Sequence, residues 1–573
     1  MDNKEIAQIF EHIGKLLELK GNNFFKSRAY YNAARTIAEL PVSLKDVYEK
    51  GSLKQINGIG DALEKKIIEL LDTGRLLYLE RLESDIPRGV RELLSIHGVG
   101  PKKIRILVET LGIQSVGELE YACRENRLKD LPGFGLKSQQ NILEGIEFFK
   151  RSSERVLYHE AENAVNAFIS TLEKDPRVLH AVCAGDMRRH METVAVGKIV
   201  AVVEEDCVSD VVNGFIASGS VENIEESSIS IVSVHLKGGL HCELRIVCEQ
   251  ELPCALMYDT GSADHYEHMK RYAQKRGYIL NHTKLNRGEI QLDLKDESDI
   301  YRELGMSYIP PEIREGTGEI EAAVDGTLPE LIDSRDIRGL FHVHTTWSDG
   351  SNTIEEMAEA AGSMGMDYLG ISDHSASARY AGGLSPDDVR RQWEEIEEYN
   401  ARGGAIHVLK GIESDIHHDG SLDYDDNTLE GFEFVIASIH SWFSMTRDEA
   451  TERIVHAISH PAVTMLGHPT GRLLLAREGY PIDMETVLDT CMEHGVIIEL
   501  NANPHRLDLD WRHLGSVRER GLLVCINPDA HQTGTLNHVH YGVNIARKGW
   551  LTKTDVLNTL PFEKICKRLK KQP

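Results

Sequence analysis

The sequence predicts a multidomain chain with all-α domains at its N-terminal end, an α+β middle and an α/β barrel at its C-terminal end. Three observations carry this. A segment of about 18 residues recurs three times before residue 150, β-branched runs gather between 151 and 250, and from 336 short apolar strands alternate with amphipathic helices. At 573 residues the chain is too long for one ordinary core and accommodates roughly three to five units.

Charge divides the chain in the same place. Its 64 basic and 91 acidic side chains give a formal charge of -27, which argues against a protein coated along its length by nucleic acid. Residues 1–150, however, hold 23 basic and 22 acidic side chains, so the negative excess lies downstream and the two parts are expected to meet different partners. The nine cysteines form no CxxC pair and read as reduced, buried thiols. With no signal-peptide pattern and no apolar run near the roughly 20 residues that span a bilayer, a soluble cytoplasmic chain is expected.

The repeat comprises LKQINGIGDALEKKIIEL (53–70), LLSIHGVGPKKIRILVETL (93–111) and LKDLPGFGLKSQQNILEGI (128–146). Each reads as an apolar helix end, a GxG turn and a new helix. Gly58 and Gly60, Gly98 and Gly100, and Gly133 and Gly135 allow tight turns and leave amides free at the next helix start, where phosphate oxygens can be held without reading bases. A single copy would equally suit a packing corner; three copies resemble the helix-hairpin-helix motif of DNA repair proteins. Upstream, NNFFKSRAYYNAARTIAEL (22–40) sets Lys26 and Arg28 among aromatics, suited to gripping a DNA end or to forming a solvated face over a core.

Between 151 and 250 the runs KIVAVV, ISIVSVHL and CELRIV read as strands of an α+β layer. Helices and turns return from 251 to 318, and the polar stretch 319–335 reads as a linker. Beyond it DYLGISD, IHVLKGIE, FEFVIASIHS, AVTMLGHP, GVIIELNAN and GLLVCINPDAH alternate with helical segments, the pattern of a barrel whose chemistry belongs at the C-terminal strand ends.

Polar residues stand at those ends. FHVHTTWSDG places His342 and His344 at i and i+2, one face of an extended strand, with Asp349 in the following turn. His374, Glu413, His440, His468, Asp529 and His531 each follow an apolar run. Any one of them alone would suit a strand cap or a buried imidazole. Together they make nine candidate ligands, too many for one tetrahedral shell, so two or three ions are implied, and mixed N and O donors suit Zn²⁺, Mn²⁺ or Fe²⁺ better than Mg²⁺ alone. Such a cluster can activate water and offset charge on a phosphoryl group, so phosphoester hydrolysis is its natural use.

The stretches HVHTTWSDG, SDHS, GIESDI, ASIHS, GHPTGR, ELNANP and DAH resemble the polymerase and histidinol phosphatase (PHP) domain over about 336–573. The resemblance implies a distorted β/α barrel with a trinuclear cluster and phosphoesterase activity. Arg472 and Arg506 become candidate phosphate contacts, or partners for Glu478 and Asp508. The whole chain, through NNFFKSRAYYNAAR, INGIGDALEKKI, HGVGPKKI, GDMRRHMETV, YDTGSADH and LGMSYIPPEIREGTGEIEAA, resembles bacterial and archaeal family X DNA polymerases (PolX). The implied order is a lyase-like helix-hairpin-helix domain (1–80), a fingers-like one (81–150), a nucleotidyltransferase palm (151–250), a thumb (251–318), the linker and the PHP domain (336–573).

The resemblance also implies a 5'-phosphate site with Lys26 and a Schiff-base lyase at Lys66, next to Lys65; a plain phosphate-binding lysine is the alternative. Gly185, Arg188, Gly261 and Ser262 match nucleotide-site positions. The palm departs from its family. Aligned on Arg188 and Arg189, Val196 and Lys198 stand where two metal-binding aspartates belong, Glu243 replaces the third, and Asp186 would repel a triphosphate. A valine cannot ligate, and Lys198 can pair with Glu243, so Mg²⁺ binding and nucleotidyl transfer are expected to be lost. A shifted register using Glu192, Glu204 or Glu205 is the alternative. The expected function is metal-dependent phosphodiester hydrolysis on gapped, nicked or abasic DNA, and the resemblance implies 3'-5' exonuclease action, with apurinic/apyrimidinic endonuclease or 3'-phosphatase action as related outcomes. A gap-filling polymerase, a catalytically silent DNA-end scaffold and a small-molecule phosphatase are the other readings.

Overall fold

The computed structural model describes residues 1–573 except 2, 22–23, 39, 41, 57, 97, 125–127, 129–130, 132, 154, 229, 237–239, 444, 476–477 and 570–573. Asn22 and Asn23 of the aromatic stretch, Asn57, His97, Lys129, Asp130 and Pro132 of the repeats, and Ile229 of ISIVSVHL therefore lie outside the described residues. The chain divides into two compact units, Met1–Glu154 and Arg155–Pro573.

The first unit is helical throughout its described residues. Its opening helix, Asn3–Leu19, buries Ile6, Phe10, Ile13 and Leu17, one apolar stripe at helical spacing. The three GxG turns share one geometry. Gly58, Gly98 and Gly133 have φ of +84°, +83° and +82°, a left-handed backbone that a side chain resists. Gly60 and Gly100 are the extended residues that open helices Asp61–Thr73 and Pro101–Leu111, and Gly135 precedes Leu136–Ser153. Between each pair a buried Ile59, Val99 or Phe134 plugs the core, each worth roughly 1.5–3 kcal/mol of burial. Its amide closes the turn on Ile56, Ile96 or Leu131. Nothing lies within 4 Å of a Cβ built on any of the six glycines, so the helix-start amides stay approachable.

The second unit opens with helix Tyr158–Leu172 against a five-stranded sheet. Its strands are β1 (Val178–Ala184), β2 (Val196–Val203), β3 (Val221–Ser227), β4 (Ile231–Leu236) and β5 (His241–Val247), in the order β1-β2-β5-β4-β3. β2 and β5 run parallel and the other neighbours antiparallel. Helices Leu252–Thr260, Ala263–Lys275 and Glu297–Glu303 and a small sheet follow around a separate core.

The stretch 319–335 is not the polar linker expected from its composition. Glu319–Asp325 forms a helix that buries Ile320 and Ala323, and Leu331 bridges to Thr552. The charges of EIEAA mask a helical apolar face, and Glu319 is satisfied by His265 and by the amides of Gly316 and Thr317.

The final domain is a parallel sheet of seven strands, adjacent in chain order. They are β6 (Gly339–Val343), β7 (Tyr368–Ile371), β8 (His407–Asp415), β9 (Phe434–Ser438), β10 (Met465–Leu466), β11 (Ile497–Asn501) and β12 (Val524–Asn527). The sheet nearly closes on itself. Val343 bridges Ala530, the His344 amide donates to the Ala530 carbonyl at 2.8 Å, and the Ala530 amide donates to the His342 carbonyl at 3.2 Å. Apolar side chains fill both the lumen and the shell beneath the surrounding helices, which places polar chemistry at the C-terminal strand ends. Among the described residues no helix is long and apolar enough to cross a membrane.

Candidate metal centre

The nine residues singled out at the strand ends converge on one site. Their donor atoms fall into four sets, each with members within 4.8 Å of one another: His344, Asp349, His374 and His531; His342, Glu413 and His468; His342, His344 and Asp529; and His374, Glu413 and His440. Glu413, near the end of β8, is the hub. Its Oε1 lies 3.2 Å from His342 Nε2, 3.0 Å from His468 Nε2 and 3.1 Å from His440 Nε2, and its Oε2 lies 3.0 Å from His374 Nδ1. At the mouth His531 Nε2 stands 3.3 Å from Asp349 Oδ1. Deeper, His344 Nε2 stands 3.5 Å from Asp529 Oδ1. Six of the nine are buried; His440 and His531 are half-buried and Asp349 is exposed.

Local backbone geometry delivers these side chains. His342 has φ +56° beside an irregularity between Leu340 and Val343, so the regular i, i+2 strand expected for His342 and His344 is broken even though both imidazoles reach the site. His468 and Asp529 also have positive φ, a conformation that costs a non-glycine residue of order 1–3 kcal/mol and concentrates at functional sites.

The donor set fits divalent cations. A tetrahedral shell with bonds of about 2.1 Å spaces its donors about 3.4 Å apart, close to the separations observed. His342 Nε2, both ring nitrogens of His344, His468 Nδ1 and Glu413 Oε2 are buried without a hydrogen bond, a costly state unless they ligate. Two imidazoles are fixed from behind: His342 Nδ1 meets Glu499 Oε1 at 2.5 Å and His440 Nδ1 meets Asp415 Oδ1 at 2.5 Å, leaving Nε2 of each to face Glu413, as carboxylate–histidine–metal triads require.

Electrostatics follow from this crowding. Burial opposes charge on His342, but Glu499, Glu413 and Asp529 hold its pKa well above the ordinary value. Burial, reinforced by His531 and His374, pushes His344 down to about 3. Burial also works against the Glu413 and Asp529 carboxylates, yet the imidazoles around them hold both pKa values well below the ordinary range.

Several supporting residues carry little trace in the sequence. Glu499 also accepts from the His468 amide at 2.6 Å and from Asn527 Nδ2 at 2.8 Å, and Asn501 Nδ2 donates to Asp529 at 3.0 Å. Asp373 ties down the turn before Asp349 by accepting from the Thr345 amide and hydroxyl at 2.7 Å each. Asp415 carried a readable signal, since it shares a strand face with Glu413 two residues earlier. Arg506 reaches the centre, 3.5 Å from Asp529 Oδ2. Arg472 does not serve as an open phosphate contact: Asp510 at 2.7 Å, Glu192 at 3.2 Å and two backbone carbonyls engage it, and the buried Asp508, one of the two acids expected beside it, adds its negative charge.

Family models match in the same order. Residues 1–76 match a helix-hairpin-helix domain, 90–147 a SAM-like helix-hairpin-helix tandem, 255–315 the DNA polymerase beta thumb and 341–503 the PHP domain. A Bacillus subtilis (strain 168) protein named DNA polymerase/3'-5' exonuclease PolX is 35% identical over 563 residues, 97% of each chain. The chain belongs to the PolX family. The PHP part of this PolX chain has relatives of its own. A probable phosphatase of Thermoanaerobacter sp. (strain X514) is 28% identical over 38% of this chain and 89% of that one, and one of Caldanaerobacter subterraneus is 30% identical over 33% and 74%.

Seen as a PolX palm, the central sheet is wired differently from a two-metal site. Lys198 on β2 lies opposite Glu243 on β5, with its ammonium 3.8 Å from Glu243 and 3.2 Å from Asp259. Arg245 also grips the buried Asp259. Val196 sits opposite His241. Among the described residues none of the cation-holding sets lies in this sheet. The alternative acids do not gather there either: Glu192 faces Arg472 and Arg512, and Glu204 and Glu205 are exposed beyond the end of β2. Asp186 is not a free repulsive charge, being neutralised by Arg155 at 3.0 Å and Arg189 at 2.7 Å. Arg188 is drawn away from any phosphate by a two-pronged contact with Glu297. Gly185 turns at φ +62° against Lys198, Gly261 abuts the His265 ring, and Ser262 caps helix Ala263–Lys275 by accepting from the His265 amide.

In the first PolX unit Lys26 and Lys66 share one ring. Their ammonium groups lie 5.2 and 4.6 Å from the centroid of Tyr78, which stacks on Tyr30 at 6.2 Å, and Lys66 also donates to the Ala62 carbonyl.

Proposed function

We propose that the protein is a DNA repair enzyme whose PHP domain hydrolyses phosphodiester bonds at a multinuclear Zn²⁺ or Mn²⁺ centre, acting as a 3'-5' exonuclease. The carrying observation is the convergence of nine imidazole and carboxylate groups around Glu413. Bound cations would supply Lewis-acid charge for phosphoryl oxygens and acidify water. His342, His344, Asp349, His374, Glu413, His440, His468, Asp529 and His531 would hold them. Glu499 and Asp415 keep the His342 and His440 rings turned inward, and Arg506 pairs with a non-bridging phosphate oxygen at the mouth. The paired glycines at 58 and 60, 98 and 100, and 133 and 135 present helix-start amides to backbone phosphates of gapped, nicked or abasic DNA without reading sequence.

The test is digestion of a 3'-labelled and a 5'-labelled primer with Mn²⁺. Wild type is expected to shorten the strand from its 3' end, and His342→Ala and Asp529→Ala to stop it; digestion unchanged in both variants removes the assignment. The palm, with Lys198 and Arg245 engaging its acids, predicts no nucleotide incorporation at a one-nucleotide gap with either Mg²⁺ or Mn²⁺. Incorporation abolished by Glu243→Ala would restore a polymerase reading. The Lys26, Lys66 and Tyr78 group supports a 5'-phosphate site, with lyase action at Lys66. Borohydride trapping on incised abasic DNA is expected to yield a covalent adduct that Lys66→Ala removes, and no adduct with wild type leaves these lysines as phosphate contacts.

A further inference from the structure

The palm turn that begins at Gly185 ends at Glu192, and Glu192 is buried against the barrel rather than facing the palm. Arg472 Nη2 lies 3.2 Å from Glu192 Oε1, and Arg512 Nη1 lies 3.4 Å from the same oxygen. The rest of the Arg472 fork is also engaged: Nη1 donates to Asp510 at 2.7 Å, Nε donates to the Arg506 carbonyl at 3.0 Å, and Nη2 donates to the Leu507 carbonyl. Nη2 thus serves both the palm carboxylate and the loop backbone.

That loop carries Arg506 to the metal centre. The Arg506 and Leu507 amides fold back on the Asn503 carbonyl at 2.7 and 3.0 Å, and Asp508 pairs with Asn501 through backbone hydrogen bonds. Leu507 holds φ +44°, a conformation that persists only where its surroundings impose it. The palm turn is anchored from a second side as well, because Glu315 contacts both Arg189, at 2.9 Å, and the fully buried Lys548 of helix Val539–Lys548. Its position against the barrel is therefore set independently of Arg472.

We infer that Glu192 is a positioning residue for the hydrolytic centre, acting through Arg472 on the carbonyls of Arg506 and Leu507 and so aiming the Arg506 guanidinium beside Asp529. Without the Glu192 carboxylate, Arg472 keeps Asp510 as its strong partner and turns toward it, and the hydrogen bond from Nη2 to Leu507 is the one released. The turn then relaxes from its strained φ and Arg506 loses its aim. The turn from Gly185 to Glu192 thereby serves the neighbouring domain, bracing its phosphate clamp. The inference rests on the phosphodiesterase reading of the barrel.

A double-mutant cycle on Mn²⁺-dependent digestion tests it. Glu192→Gln is expected to lower kcat about 10-fold, a fraction of the ~10²-fold that a 1 Å misplacement costs, with KM within about 2-fold. Introduced into Arg506→Ala, the same change is expected to cost less than about 2-fold, because residues acting in series are not additive. Full additivity overturns the relay. Hydrogen exchange supplies a readout independent of activity: amides of residues 501–509 are expected to exchange about 10-fold faster in Glu192→Gln, with the β6–β9 amides unchanged. Unchanged exchange at 501–509 overturns the relay even if wild-type hydrolysis is missing, an outcome that separately removes the phosphodiesterase reading.

Discussion

Glu413→Gln is expected to abolish hydrolysis, by roughly 10³-fold or more, and to strip bound cations from the protein, whereas Glu499→Gln, acting through His342, should cost about 10–100-fold in metal affinity or rate. The difference follows from position. Glu413 belongs to two of the donor sets, and its two oxygens lie within 3.0–3.2 Å of four imidazoles, so the amide removes negative charge that would serve more than one cation. Glu499 touches one ring and one amide of the same sets. Elemental analysis of protein purified without chelator, paired with digestion rates and a circular dichroism check of the fold, measures both. Wild-type metal content in Glu413→Gln is the result that contradicts a shared hub.

Glu297→Gln is expected to destabilise the second unit by about 3–5 kcal/mol, the usual cost of breaking a buried ion pair from one side. Arg314 is fully buried. Its guanidinium makes a two-pronged contact with Glu297, donates twice to the Ile309 carbonyl and lies 5.3 Å from the ring centroids of both Tyr301 and Tyr308. Arg188 shares the same carboxylate at 2.8 Å. Neutralising Glu297 leaves two cations facing each other in a dry site, and denaturant unfolding followed by tryptophan fluorescence measures the loss. Burial works against the Glu297 carboxylate, but Arg314 and Arg188 overcome it and hold its pKa down to about 2 from 4.5. The folded state therefore binds fewer protons than the unfolded one between these values, so the pair's contribution is whole above about pH 4.5 and drains away as pH falls toward 2. Glu297→Gln should flatten that part of the stability profile, and an unchanged acid limb would show the charge to be unimportant.

The nine converging residues were legible because each follows an apolar run or its turn, a signal carried by a few adjacent residues. So were the GxG repeats, which need no partner to be recognised. What escaped depends on approach across sequence. Asp259, which with Arg245 and Lys198 fills the palm, lies 61 residues from Lys198, and Arg472 lies 280 residues from Glu192; neither leaves a periodic trace. The helix Glu319–Asp325 was hidden for another reason, since its first acidic residue, Glu319, is satisfied by local amides and His265, which composition cannot show. Lys198 beside Glu243 was readable from strand register, but the stronger attraction to Asp259 was not.

Among the described residues the sheet of the PHP domain has a single joint, where the backbone of His342 and His344 meets Ala530, and the side chains on both sides of that joint are among those gathered at the candidate metal centre. Ions seated there would act as a clasp on the ring of strands, adding to folded-state stability by mass action. Chelation should therefore do more than silence the enzyme: with the clasp open, β6 and β12 present unpaired edges that invite strand-to-strand association between molecules.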